Sequence, residues 1–173
     1  MIGWGHPLRW VSFFYLLTFI KMTMTTDFRV AEVGLTYRNR VPKKDRKQIL
    51  DSYTAYKVLK ENFSDDTMDY RETFKVLYLN HNCQVLGCST ISEGWITNTL
   101  ADVRMIIQGA LLTNATAMIL AHNHPSGSTR PSRQDDELTR KVVDAARLLD
   151  IKVADHIILT SEDFYSYNDE GRI

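Results

Sequence analysis

An α/β domain, with helices on both sides of a mixed sheet, is the fold class this sequence predicts, and three observations carry the prediction. Three short apolar runs, TFKVLYLN (73–80), AMILA (117–121) and IKVADHIIL (151–159), have the length and near-continuous hydrophobicity of strands buried on both faces. The stretches beside them, LADVRMIIQGALLTN (100–114) and DELTRKVVDAARLLD (136–150), space their apolar residues at the helical period instead. The third is composition: 173 residues, 44% hydrophobic and 24% charged, suit one soluble domain with a substantial core. Alternation of the two periods is what a layered α/β fold requires.

The chain opens with MIGWGHPLRW, which has no period, followed by the apolar run WVSFFYLLTFI (10–20). A membrane span needs about 20 apolar residues, more than this run supplies, so no stable span is expected. A signal peptide needs a small-x-small cleavage site, and KMTMTTDF has none. Residues 1–26 are therefore expected to form a leader, disordered or arising from a start really at Met22 or Met24, with a signal or a peripheral anchor as alternatives; residues 27–173 form the domain.

FRVAEVGLTY (28–37) alternates as a strand does and leads into RNRVPKKDRK (38–47), the one basic cluster. No aromatic residues are interleaved there for base stacking, and a solvated loop explains it more simply than a nucleic-acid site. Formal net charge is zero, so no overall field draws the protein to a polyanion or an anionic membrane. Cys83 and Cys88 make neither a zinc knuckle nor a disulfide framework, which points to a reducing compartment, the cytoplasm.

DRKQILDSYTAYKVLKEN (45–62) is expected to be one amphipathic helix, with Ile49, Tyr53, Tyr56 and Leu59 at helical spacing. SDDTMDY ends it, and Glu72 then stands at the entry of the strand TFKVLYLN, where an acid is ordinarily a solvated residue. After the turn HNCQVLG comes a second acid, Glu93, in STISEGW. In the helix over 100–114, Val103, Ile106, Ile107, Ala110 and Leu111 form a stripe expected to lie under the next strand.

That strand ends in HNHPSGSTRPSRQD (122–135). His122 and His124 are two residues apart, so their side chains leave on the same face and can grip one ion. A turn containing Gly127, Pro125 and Pro131 reverses the chain, and Ser132 and Asp135 follow at the mouth of a helix. Two neutral imidazoles and one carboxylate, with a fourth position open, suit catalytic zinc. One carboxylate against a divalent ion leaves the centre net positive, which acidifies water there. The simpler account of Ser132 and Asp135 is a helix capping box, with the serine hydroxyl accepting from the backbone and the acid suiting the helix dipole. In the closing strand, His156 is read as a hydrogen-bonded structural residue outside the ligand set, and YSYNDEG as a short strand and turn.

The order His-x-His, seven residues, Ser-x-x-Asp resembles the JAMM metalloprotease motif in the form carried by the RadC family, and the likeness continues through RETFKVLYLN, LADVRMIIQGAL, LLDIKVADHIILT and YSYNDEG. The resemblance covers roughly the last two thirds of the chain. It implies a cytidine-deaminase-like, JAB-type fold, Zn²⁺ held by His122, His124 and Asp135, Ser132 helping to hold a tetrahedral intermediate, and Glu72 as the acid/base, with Glu93 as the competing candidate. The implied activity is zinc-dependent cleavage of a peptide or isopeptide amide in a protein substrate. Family members of full length carry an extra N-terminal helical region associated with DNA binding, so this chain resembles a short form. A non-enzymatic module associated with DNA repair or recombination is the alternative. Zinc deaminases, which need a later Pro-Cys-x-x-Cys, and His-Glu-x-x-His peptidases find no match in these letters.

Overall fold

Five strands form one sheet in the order β2-β1-β3-β4-β5, seen in a computed structural model that describes Gly34 and residues 36–94 and 101–173. The strands are β1 (Glu72–Leu79), β2 (Val85–Gly94), β3 (Ala117–Asn123), β4 (Lys152–Leu159) and β5 (Phe164–Ser166). β1 runs antiparallel to both β2 and β3, β3 and β4 are parallel, and β5 returns antiparallel to β4. The sheet is mixed, as expected. The leader, most of the strand expected over 28–37, and residues 95–100 lie outside the described residues.

Side-chain alternation along the strands builds two apolar layers. Phe74, Val76 and Tyr78 of β1 and Met118 and Leu120 of β3 face helices α3 (Val103–Thr113) and α4 (Arg133–Arg147), meeting Ile106, Ala110, Val142 and Ala146. Leu77, Leu79, Ile119, Ala121, Ile157 and Leu159 face the other way, onto α1 (Ser52–Lys60) and the single turn α2 (Asp65–Met68), meeting Ala55, Val58, Leu59 and Met68. Strands covered on both faces explain the continuous apolar runs at 73–80, 117–121 and 151–159. Among the described residues no helix is long and apolar enough to cross a membrane.

Three boundaries differ from expectation, each for a local reason. The helix expected over 45–62 begins only at Ser52, because the Asp51 side chain accepts from the Thr54 N–H at 2.7 Å while the Thr54 hydroxyl closes a capping box. The residues before it are drawn to the sheet instead, Ile49 donating to the Cys83 carbonyl and Lys47 accepting from Val85. The helix expected over 100–114 starts at Val103, capped by Asp102, and ends at Asn114 in the left-handed conformation. The helix expected over 136–150 starts three residues earlier, at Arg133, because Ser132 caps it. Leu149, which the helical spacing of Leu138, Val142, Ala145 and Leu149 would bury, lies beyond its end and is exposed.

One irregularity re-aims a side chain. Met118 pairs with Val153, but the next residue, Ile119, pairs with Asp155, so Ala154 is an extra residue in β4. Val153 packs in the layer facing α3 and α4. A regular strand would turn His156 away from that layer; the bulge returns it there, opposite Leu120 and beside His122.

Candidate metal centre

β3 ends against the N-terminus of α4, and three side chains meet there. The Nε2 atoms of His122 and His124 are 3.0 Å apart. Asp135 Oδ1 is 3.2 Å from His122 Nε2, and Asp135 Oδ2 is 3.6 Å from His124 Nε2. One ligand atom from each residue lies within 4.8 Å of the others, the spacing of groups able to share an ion. Parity along β3 brings the two imidazoles to one face, and the turn Pro125–Pro131 returns the chain so that the first turn of α4 presents its carboxylate to them. Gly127 permits that turn, with φ of 75° and its N–H on the His124 carbonyl.

The capping box and the ligand geometry coexist. The Asp135 N–H donates to Ser132 Oγ at 3.2 Å and the Ser132 N–H donates to Asp135 Oδ2 at 2.7 Å, while Oδ1 remains directed at His122. Ser132 Oγ accepts in this bond and keeps its own hydrogen to donate. Burial acts to raise the Asp135 pKa, but the adjacent His122 and His124 rings outweigh it and hold the carboxyl far below the usual range. It is a carboxylate at any physiological pH.

The imidazoles are held from behind. His124 Nδ1 lies 2.7 Å from the Ser128 carbonyl, which can only accept, so Nδ1 carries the hydrogen and Nε2 of the neutral ring offers its lone pair. His122 is fully buried and its Nδ1 lies 2.9 Å from His156 Nε2. Burial pushes the His156 pKa well below its ordinary value, with the neighbouring His122 acting in the same direction, so the ring is neutral. This donor chemistry fits a divalent metal: two imidazole nitrogens, one ionised carboxylate, and supporting hydrogen bonds on the far side of the rings.

The two acids weighed from the sequence fall in different places. Glu72 shares its face of β1 with Phe74, whose ring stacks on His122 with centroids 5.9 Å apart. It is half-buried; burial raises its pKa, opposed by the charges of His122 and His124. Glu93 pairs in register with Thr73, on the opposite face, and its half-exposed carboxylate lies 3.5 Å from Arg71.

Asn123 stands between the two histidines. Its parity turns it away from the metal group, where it is fully buried, donating to the Met68 and Arg71 carbonyls at 2.7 and 2.8 Å and accepting from the Thr73 N–H at 2.8 Å. It thus ties the end of the histidine strand to the entry of β1, where Glu72 stands. The available signal was a polar residue at a core-facing position, which needs partners. Asn123→Ala is expected to destabilise the fold by about 3 kcal/mol, since two buried hydrogen bonds and one part-buried one lose their partner; the urea midpoint at unchanged slope measures it.

A mixed sheet between helices, with two histidines at a strand end and an aspartate in the next helix, has the form of a JAB-type domain with a His-His-Asp group that could hold a metal ion. Residues 49–172 match the RadC-like JAB domain, and the chain belongs to the RadC family. A UPF0758 protein of Porphyromonas gingivalis is 39% identical over 136 residues, covering 76% of this chain and 59% of that one. The UPF0758 protein YfjY of Escherichia coli is 44% identical over 101 residues (58% and 63%), and a UPF0758 protein of Flavobacterium johnsoniae is 43% identical over 100 (58% and 44%). The chain thus spans less than two thirds of the length of each of these relatives.

Proposed function

We propose that this domain is a zinc metallohydrolase of the JAMM type that cleaves a peptide or isopeptide amide in a protein substrate. One observation carries the reading: two imidazole Nε2 atoms and a carboxylate converge from a strand end and a helix N-terminus, with His124 Nδ1 against the Ser128 carbonyl behind. His122, His124 and Asp135 would hold the ion. When bound, zinc supplies Lewis acidity at the open position, acidifying water and polarising an amide carbonyl.

The chain's own groups do the rest. Glu72, half-buried on the same face as His122, takes the proton of the attacking water and returns it to the leaving amine. Ser132, whose oxygen already accepts from the Asp135 N–H, donates its hydroxyl hydrogen to the oxyanion as it develops. The bonds Asp135 makes to the Ser132 N–H and to its own helix hold it in place without help from substrate. The setting proposed is the cytoplasm, where the exposed thiols of Cys83 and Cys88 stay free.

The test is metal content and cleavage together. Purified protein is expected to bind zinc one to one and to cleave members of a peptide and isopeptide library, with activity removed by a chelator and restored by zinc. The competing reading, a DNA-associated binding module, draws on the exposed Arg38, Arg40, Lys43 and Lys44. Zinc binding without cleavage, joined to duplex binding that weakens steeply with salt, would decide for it.

A further inference from the structure

We propose that His156 and Thr139 are positioning residues that hold His122 in the tautomer able to ligate a metal, a role that rests on the metal reading above. Thr139, His156 and His122 form one file from α4 through β4 to the end of β3. Thr139 Oγ1 lies 2.6 Å from the Asp135 backbone carbonyl and 2.6 Å from His156 Nδ1, and His156 Nε2 lies 2.9 Å from His122 Nδ1. His156 is fully buried and Thr139 nearly so, leaving water no access to break the file.

Its direction follows from counting hydrogens. A carbonyl oxygen only accepts, so the single hydroxyl hydrogen of Thr139 is committed to Asp135, and Thr139 must accept from His156 Nδ1–H. His156, fully buried with Thr139 and His122 as its ring partners and no carboxylate on either nitrogen, carries one ring hydrogen, so its Nε2 is bare and accepts from His122 Nδ1–H. His122 Nε2 is left with its lone pair facing His124 and Asp135. Run the other way, the file would put a hydrogen on His122 Nε2, aimed where the ion must sit. The carbonyl that sets the direction belongs to Asp135, itself a ligand, so two of the three ligands are tied through His156 before any ion arrives. Two aromatic rings pack against His156: Tyr167 lies parallel at 4.9 Å, and Phe74 meets it edge-on at 5.7 Å. The Ala154 bulge is what delivers His156 to this face.

The test uses Thr139→Val, Thr139→Ser and His156→Gln in the full chain, with two readouts. Zinc affinity, by competition with a chromophoric chelator, is expected to fall about 10- to 100-fold in Thr139→Val and His156→Gln, and to stay near wild type in Thr139→Ser, which keeps the hydroxyl. Nitrogen-15 spectra of the histidine rings should show His122 as the Nδ1–H form in zinc-loaded wild type. Val142→Ala, a core cut on the same helix, controls for lost packing and is expected to lower stability without moving zinc affinity. Wild type that binds zinc as tightly as Thr139→Val, or a zinc-loaded His122 carrying its hydrogen on Nε2, overturns the positioning role and leaves the metal reading standing. Wild type that takes up no zinc overturns both. Should Thr139→Val not fold, the serine variant and the wild-type spectra still decide.

Discussion

Glu72→Gln is expected to lower the turnover of an amide substrate by about 100- to 10,000-fold, the range a positioned general acid/base contributes, with zinc content unchanged. Glutamine keeps the shape and half-burial of the side chain but cannot take or return a proton. Because the group acts on the reacting atoms and not on substrate recognition, the loss should fall on kcat, with KM little altered. Glu93→Gln is the matched control. Glu93 stands opposite Thr73 on the other face of the sheet, next to Arg71, so its removal should cost only an exposed ion pair worth little. Single-turnover assays at saturating zinc, with metal per chain measured on the same samples, check both variants. Inactivation by Glu93→Gln but not by Glu72→Gln would transfer the role to Glu93.

Sequence alone does not rank these two acids. Glu72 opens a strand, and a strand's parity becomes useful only once a neighbour in register is known; here Phe74 opposite His122 supplies it. The histidine pair was easier, since spacing by two at a strand end fixes a shared face without any knowledge of neighbours. Ser132 and Asp135 carry two readings, a helix cap and a metal ligand, and the two are compatible because the carboxylate has two oxygens: the cap engages one while the other faces His122. The apolar runs at 73–80, 117–121 and 151–159 declared themselves because helices cover both faces of their sheet. β2 did not, because it is an edge strand whose alternation is interrupted by Gly87 and by shifts of register against β1. His156 was set aside for a physical reason as well. A bulge at Ala154 reverses the parity of everything after it, and no residue pattern in KVADHIIL announces the extra residue.

Phe74→Ala is expected to cost about 3–5 kcal/mol of fold stability in the metal-free protein, the range for emptying a buried aromatic site. Phe74 is almost fully buried, pairs with His122 across β1 and β3, lies parallel to that ring, and meets His156 edge-on. Its removal therefore opens a cavity bounded on one side by the apolar layer over α3 and α4, and on the other by two imidazoles. A polar wall lets water enter, which lowers the cavity cost toward the lower end of the range and gives His156 and His122 a competing hydrogen-bond partner. The variant should thus lose stability and zinc affinity together, whereas Val142→Ala loses only the first. Saturating zinc should return part of the loss, since an ion that binds only the folded state at about 100 times its dissociation constant adds about 2.7 kcal/mol. Urea unfolding of both proteins, with chelator and with excess zinc, separates the contributions. Equal zinc stabilisation of wild type and Phe74→Ala would mean that the ring fills space without holding His122, and that the hydrogen-bonded file from Asp135 through Thr139 and His156 orients the ligand unaided.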